Sequence, residues 1–255
     1  MQLRTLGVIP ARYASSRFPG KPLAMIGGKT MIQRVYEQAL KSQKLTKAIV
    51  ATDDERIYNH VTEFGGIAMM TSASHPTGSS RIAEVIEKLS ASGKCQYDVV
   101  LNIQGDEPFI DPAQIDLAIS LFSDPSVQIG TLIMKINNNE DIFNPNIAKV
   151  VVDSFGNATC FSRSPIPFLR GKTQDEWHIH NPYYRHIGLY AFGTDCLKTI
   201  LALPASPNEI AESLEQLTWL YYGFKIRTAL TDIDTIGVDV PEDLLRIANK
   251  FDTTS

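Results

Sequence analysis

A chain of 255 residues with 44% hydrophobic and 20% charged residues has ordinary globular composition, which excludes wholesale disorder. At this length about three quarters of the unfolded surface can be buried, so no disulfide or metal staple is needed. The 24 Lys and Arg against 28 Asp and Glu give a net charge of −4, which speaks against a globally basic nucleic-acid binder. From the N-terminus, Leu6 to Ile9 is an apolar run too short for a signal peptide. No run approaches the length of a membrane span, so a cytoplasmic protein is expected. Cys95, Cys160 and Cys196 are scattered and without a C-x-x-C pair, which excludes zinc ribbons and disulfide frameworks and predicts buried free thiols.

Leu6–Ile9, Ala48–Thr52 and Val99–Ile103 read as strands buried on both faces. Between and after them, Met31/Val35/Ala39, Ile57/Val61/Phe64, Ile82/Val85/Ile86/Leu89 and Ile115/Ala118/Ile119/Phe122 recur at helical spacing. This alternation predicts an α/β fold with a mainly parallel sheet and helices on both faces. The second half changes character. Lys149–Asp153, Ala158–Phe161 and Arg185–Phe192 are strand-like, with a turn over residues 153–157. The stretch Ser164–Pro182 lacks periodicity and reads as a loop over a site or at an interface. Ile210/Leu214/Leu217/Tyr221 predicts one helix, Lys225–Thr231 a strand, and Pro241 the first turn of a last helix. The whole reads as a single domain over residues 1–255, with a mixed insertion at roughly 155–225.

The densest chemical signal follows the first strand. In the run from Pro10 and Ala11 to Leu23, the cations Arg12, Arg17 and Lys21 accompany Ser15, Ser16 and Gly20. Ligands of open α/β sheets bind at the carboxyl ends of strands, and a polyphosphate wants backbone N–H donors with Arg and Lys heads. Gly28-Lys29-Thr30 resembles the end of a P-loop, but Leu23 stands where that motif's first glycine belongs. No G-x-G-x-x-G is present. Asp106 directly follows a buried strand, so its carboxylate should emerge at the same edge, where magnesium takes few protein carboxylates and several phosphate oxygens. Asp239, two residues before Pro241, is either a second ligand or a helix cap. The loop Thr71–Arg81, with Thr77, Gly78, Ser80 and Arg81 at a helix start, suits a base or a phosphate. His178 and His180 lack further ligands at metal spacing and read as a loop pair; Asp232-Ile233-Asp234 reads as a solvated turn. Alternation places His186, Gly188 and Tyr190 on one strand face.

The run Arg12–Leu23 with Gly27-Gly28-Lys29 resembles the signature loop of the sugar nucleotidyltransferases, and among them most the 3-deoxy-manno-octulosonate cytidylyltransferases. The likeness covers nearly the whole chain. Its further markers are Ala51–Asp54, Gln104-Gly105-Asp106-Glu107-Pro108, Phe143-Asn144-Pro145-Asn146, Phe161-Ser162-Arg163, Arg185–Tyr190, Leu214–Leu217 and Gly237–Leu244. Thr77-Gly78-Ser79-Ser80-Arg81 departs from the family's Ser-Gly-Thr-acid-Arg by lacking the acid.

The resemblance implies a three-layer, Rossmann-like fold and the reaction of CTP with the sugar acid Kdo to give CMP-Kdo and diphosphate, with Mg2+, for lipopolysaccharide assembly. It implies that Arg12, Lys21 and Asp106 are catalytic and that Asp106 and Asp239 hold the metal. Pro10, Ala11, Arg12, Ser15, Lys21, Thr77, Gly78, Ser80, Arg81 and Gln104 would bind the nucleotide. Arg163, His186, Tyr190, Glu215 and Gln216 would bind the sugar acid. A homodimer is expected through the apolar residues of Ser164–Pro182. The alternatives are a transferase for an acylneuraminate or an amino-substituted Kdo, and a nucleotide-binding module without turnover.

Overall fold

The structure, a computed structural model, describes residues 3–14, 18–93, 97–235 and 237–244. Its contacts divide the chain into two compact units, Met1–Asp116 with Thr235–Ser255, and Leu117–Asp234. The sequence pattern set apart residues 155–225; the contacts set apart a longer segment.

The first unit is built on four parallel strands: β1 (Thr5–Ala11), β4 (Lys47–Thr52), β5 (Ala68–Met70) and β6 (Val99–Asn102), in the order β5-β4-β1-β6. Val8 pairs with Ile49 on one side and Asn102 on the other. Strands β1, β4 and β6 are buried along nearly their whole length, as their unbroken apolar runs require. A short antiparallel pair, β2 (Met25–Ile26) and β3 (Lys29–Thr30), precedes α1 (Met31–Ala39). Helices α2 (Glu55–Glu63) and α3 (Gly78–Ala91) fill the remaining crossovers. Thr30, Asp54 and Thr77 cap these three helices, each accepting a backbone N–H of the first turn. Because the strands are parallel, the loops after β1, β4, β5 and β6 all leave by one edge of the sheet. The returning segment joins this unit through Val238, which packs with Ile26 and Met31, and residues 241–244 are helical.

The second unit has mixed pairing. Helix α4 (Pro112–Ser120) runs in sequence from one unit into the other. It is followed by β7 (Ile129–Ile136), α5 (Asn139–Phe143), β8 (Lys149–Val152), β9 (Asn157–Ser162), α6 (Trp177–His180), β10 (Tyr183–Gly193), α7 (Thr194–Leu201), α8 (Pro207–Glu212), α9 (Gln216–Tyr221) and β11 (Ile226–Leu230). The strands run β10-β7-β11-β9-β8, and β8 pairs back to β10, closing the circuit. Only β7–β11 is parallel among these pairs. The stretch Ser164–Pro182, expected as a loop, contains α6. Trp177 anchors it, buried with Ile136, Ile142 and Tyr183 and stacked on Tyr183 at 6.0 Å.

One predicted helix is two. Ser213 takes a left-handed φ of 52° between α8 and α9. The break leaves Ile210 and Tyr221 exposed while Leu214 and Leu217 are buried, so the apparent stripe is not one continuous face. Of the thiols, Cys196 is buried but Cys160 is exposed, against the expectation of burial; Cys95 lies outside the described residues. Cys160 sits on β9 beside the equally exposed Thr159, where the pairing with β8 shifts register and simple in–out alternation is interrupted. No helix among the described residues is long and apolar enough to cross a membrane.

Candidate active site

The loop after β1 is shaped by two glycines. Gly20 has φ 73°, donates its N–H to the Tyr13 carbonyl at 2.9 Å, and has the Tyr13 ring 3.2 Å from where a Cβ would stand. The same ring carries the Arg56 guanidinium 3.3 Å from its centroid, and Asp54 holds that guanidinium through both carboxylate oxygens. Gly105 passes so close to β1 that a Cβ would lie 2.6 Å from the Pro10 carbonyl oxygen. Any side chain there would push Gln104 and Asp106 away from the loop they face.

Lys21, Asp106 and Asp239 meet. The Lys21 ammonium donates to Asp106 at 2.7 Å and to the Val238 carbonyl at 2.8 Å, and stands 3.9 Å from the Asp239 carboxylate. Val238 N–H in turn donates to the Asp106 carbonyl at 2.9 Å. The Lys21 side chain is only 16% exposed, whereas that of Asp239 is 57% exposed. Two like charges are thus gathered around one cation, with open space on the side of Asp239.

Pro10, Ala11, Arg12, Lys21, Gly78, Gln104 and Asp106, with Ala14, Pro22 and Gly105, line a cavity of about 400 Å³ beside this cluster. Thr77, Ser80 and Arg81 are not among its lining residues. Thr77 and Ser80 form a reciprocal capping box that begins α3. The Arg81 side chain is completely buried, 2.5 Å from the Thr71 hydroxyl and 3.3 Å from Asp53. Burial lowers its pKa, opposed by the Asp53 charge. Arg12 donates to the carbonyl of His75, whose ring bonds Glu84. Glu84 also accepts from Lys88 and the Ser72 N–H; burial raises its pKa, but these bonds prevail and hold it at about 2. The loop from 72 to 77 is therefore tied both to α3 and to Arg12. Ser15 lies outside the described residues.

The other expected residues all belong to the second unit. Arg163, at the end of β9, donates from Nε to the Glu212 carbonyl at 2.7 Å and from Nη1 to the Pro145 carbonyl at 3.2 Å. Its backbone N–H and the Ser162 hydroxyl both bond the Glu212 carboxylate. His186 and Tyr190 lie on β10 with ring centroids 4.9 Å apart, although the pairing of β10 with β7 shifts between Ile187 and Tyr190. The His186 ring reaches the Thr131 hydroxyl at 2.9 Å and meets Phe161 edge-on. Burial lowers the His186 pKa to about 3, and burial reinforced by the Glu215 charge raises that of Tyr190 well above its usual value. Both rings are neutral near pH 7. The Tyr190 hydroxyl and the Gln216 amide nitrogen are buried without a hydrogen-bond partner among the described residues. Asp234 of the D-x-D sequence pairs with Arg185 instead of standing as a free turn acid.

Three contributors had no clear signal in the sequence. The Val238 carbonyl is a backbone group, invisible in a residue pattern. Asn102, at the end of β6, is buried, its side-chain oxygen has no hydrogen-bond partner among the described residues, and its amide lies 3.5–3.6 Å from a Cβ position at Gly78. Tyr13 was within the signature loop, and an aromatic between Arg12 and Arg17 was the available hint.

Residues 6–226 match the family model described as cytidylyltransferase. A curated 3-deoxy-manno-octulosonate cytidylyltransferase from Bacteroides thetaiotaomicron is 51% identical over 245 residues, covering 95% of this chain and 96% of its own. One of the same name from Thermodesulfovibrio yellowstonii is 49% identical, covering 94% and 95%. Among solved structures, a CMP:2-keto-3-deoxy-manno-octonic acid synthetase complexed with CTP superposes with a TM-score of 0.90 at 39% identity, covering 99% of this chain and 100% of its own. The 4-diphosphocytidyl-2C-methyl-D-erythritol synthase of Anaerococcus prevotii shares the fold at a TM-score of 0.64 and 13% identity, covering 98% and 96%.

The state of His186 is directly measurable. A folded pKa near 3 against an ordinary 6.5 means that unfolded chains bind the proton first, so stability is fully present above pH 6.5 and falls as pH drops toward 3. The His186 imidazole signals in NMR should stay fixed from about pH 5 to 8, and His186→Gln should flatten the acid limb of the unfolding midpoint. Titration of that ring near pH 6.5 would contradict its burial as a neutral group.

Proposed function

The chain belongs to the cytidylyltransferase family, and from that premise we propose that it transfers the cytidylyl group of CTP to 3-deoxy-D-manno-octulosonate, releasing diphosphate. The observation that carries this reading is the meeting of Lys21, Asp106 and Asp239 beside a cavity at the carboxyl ends of parallel strands. The anomeric hydroxyl of the sugar acid attacks the α-phosphorus; an oxygen–phosphorus bond forms, the bond to the β-phosphate bridging oxygen breaks, and the hydroxyl proton is lost. Such a transfer needs alignment and charge neutralisation more than covalent help.

Arg12 and Lys21 balance the triphosphate, and Lys21 also stabilises the departing diphosphate. Pro10, Ala11, Gly78 and Gln104 form the wall against the nucleotide, while Thr77, Ser80 and Arg81 hold the start of α3 in place. Asp106 and Asp239 suit a hard cation: two carboxylates converge, and one is largely open to further oxygen ligands, whereas no group of three or more His, Cys, Asp or Glu is gathered among the described residues. A divalent ion such as Mg2+ bound there supplies charge neutralisation at the phosphate oxygens. Arg163 grips the sugar carboxylate, since a planar guanidinium matches it with two parallel hydrogen bonds. The neutral His186 and Tyr190, with Glu215 and Gln216, meet hydroxyl groups; the Tyr190 hydroxyl and the Gln216 amide nitrogen, buried without a partner among the described residues, support this.

We place the reaction in the cytoplasm and read the protein as a homodimer. Phe168 and Ile179, in the 164–182 stretch, are 74% and 70% exposed, and a self-complementary contact is the common way to cover such residues. Light scattering should give twice the mass of the 28.3 kDa chain at micromolar concentration; a monomer throughout would remove the dimer.

The decisive assay is diphosphate release with four nucleoside triphosphates against Kdo, 8-amino-Kdo and an acylneuraminate. Turnover confined to CTP with Kdo is expected, and turnover with another acid alone would move the specificity. Asp106→Asn and Asp239→Asn should each slow the reaction about 100-fold or more, near 2.7 kcal/mol of barrier, and the double variant should be little worse than either. Full activity in one variant would remove that residue from the site.

A further inference from the structure

The motif Phe143-Asn144-Pro145-Asn146 has no role in the reaction described so far, yet one buried side chain organises it. Lys149 is the first residue of β8, where its neighbours Val150, Val151 and Val152 show that an aliphatic residue would satisfy the strand. It is completely buried. Its ammonium donates to three backbone carbonyls: Asn144 at 2.8 Å, Ile147 at 2.7 Å and Arg163 at 2.5 Å. Three donors serve three acceptors, which is the full capacity of the group. Burial and the nearby Arg163 charge lower its pKa, while Glu212 raises it. Desolvating an ammonium costs several kcal/mol before its hydrogen bonds offset the loss, so packing alone does not account for a lysine here.

The acceptors show what the clamp holds. Asn144 and Ile147 bracket Pro145, whose carbonyl receives Arg163 Nη1. Arg163 is held through its own carbonyl by Lys149, through its N–H by the Glu212 carboxylate, and through Nε by the Glu212 carbonyl. The β8 register places Lys149 opposite Ser162 on one side and Arg185 on the other, so its backbone is anchored by strands on both flanks. The Arg163 guanidinium forms no hydrogen bond from Nη2 among the described residues, and Arg163 is partly exposed.

We propose that Lys149 is the positioning residue for sugar-acid recognition: by clamping the 144–147 loop and the Arg163 backbone together, it fixes the guanidinium so that its free edge is presented to a carboxylate. This rests on the reading of Arg163 as the carboxylate-binding residue. A loosened Arg163 keeps its charge but loses the orientation that two parallel hydrogen bonds require. Lys149 touches no substrate and acts only through Arg163 and its loop.

The test measures KM for the sugar acid and for CTP with the full chain carrying Arg163→Lys, Lys149→Met, both together, or Glu212→Gln. Lys149→Met is expected to raise the sugar-acid KM about tenfold with the CTP KM within about twofold, and to add little on top of Arg163→Lys, because both act through one contact. Equal rises in both KM values, or a Lys149→Met effect that multiplies fully with Arg163→Lys, would overturn the proposal and make Lys149 a general structural residue. An unchanged sugar-acid KM in Arg163→Lys overturns the reading of Arg163 itself; a raised one there with none in Lys149→Met overturns only the positioning role. Should Lys149→Met fail to fold, Glu212→Gln loosens Arg163 from the opposite side and must show the same selective rise; its absence would sink the idea equally.

Discussion

The ion cluster of Lys21, Asp106 and Asp239 is the constraint on which the first unit depends. Two carboxylates close to one another repel, and they remain together because an ammonium at 2.7 and 3.9 Å stands between them. Each member comes from a different stretch: the loop after β1, the loop after β6, and the segment that returns near the C-terminus. Supporting features serve that convergence. Gly105 lets the β6 loop lie against Pro10, Gly20 folds the signature loop over Tyr13, and Val238 is buried with Ile26 and Met31. The backbone bond from Val238 to Asp106 makes the returning segment part of the site, so the site cannot form before most of the chain is in place.

In the second unit the polar groups follow another logic. Tyr190 is buried against Phe192 and Trp219, and the half-buried His186 meets Phe161 and Tyr190, so desolvation disfavours charge on either ring. Arg163 is the charged candidate beside them, its backbone and guanidinium fixed by Glu212, Pro145 and Lys149. Neutral rings and an oriented guanidinium are the features on which the proposed recognition of an acidic sugar rests.

Much of this was legible in the residues. The strands β1, β4 and β6 are continuous apolar runs, and α1, α2 and α3 carry 3.6-residue stripes, because parallel strands and their crossover helices each bury a defined surface. The position of Lys21 and Asp106 after two such strands already placed them at one sheet edge. The single helix expected over residues 210–221 failed because periodicity does not register a backbone reversal at Ser213, a non-glycine residue with positive φ. The expectation that Arg81 faces a ligand failed to anticipate Asp53, distant in sequence, and Thr71, at the far end of its own loop, which draw its side chain inward.

The sequence by itself determined the α/β alternation, the phosphate-suited loop and the family, because these rest on local spacing and on ordered short motifs. Only the tertiary structure decided where Asp239 stands: its carboxylate lies 3.9 Å from the Lys21 ammonium, while its N–H donates to the Asp243 carboxylate. It alone decided that Lys149 is a clamp and that Thr77 and Ser80 cap a helix. Hydrogen-bond partners far apart in the chain are fixed by how strands and loops come together, and a linear pattern carries no distance between them.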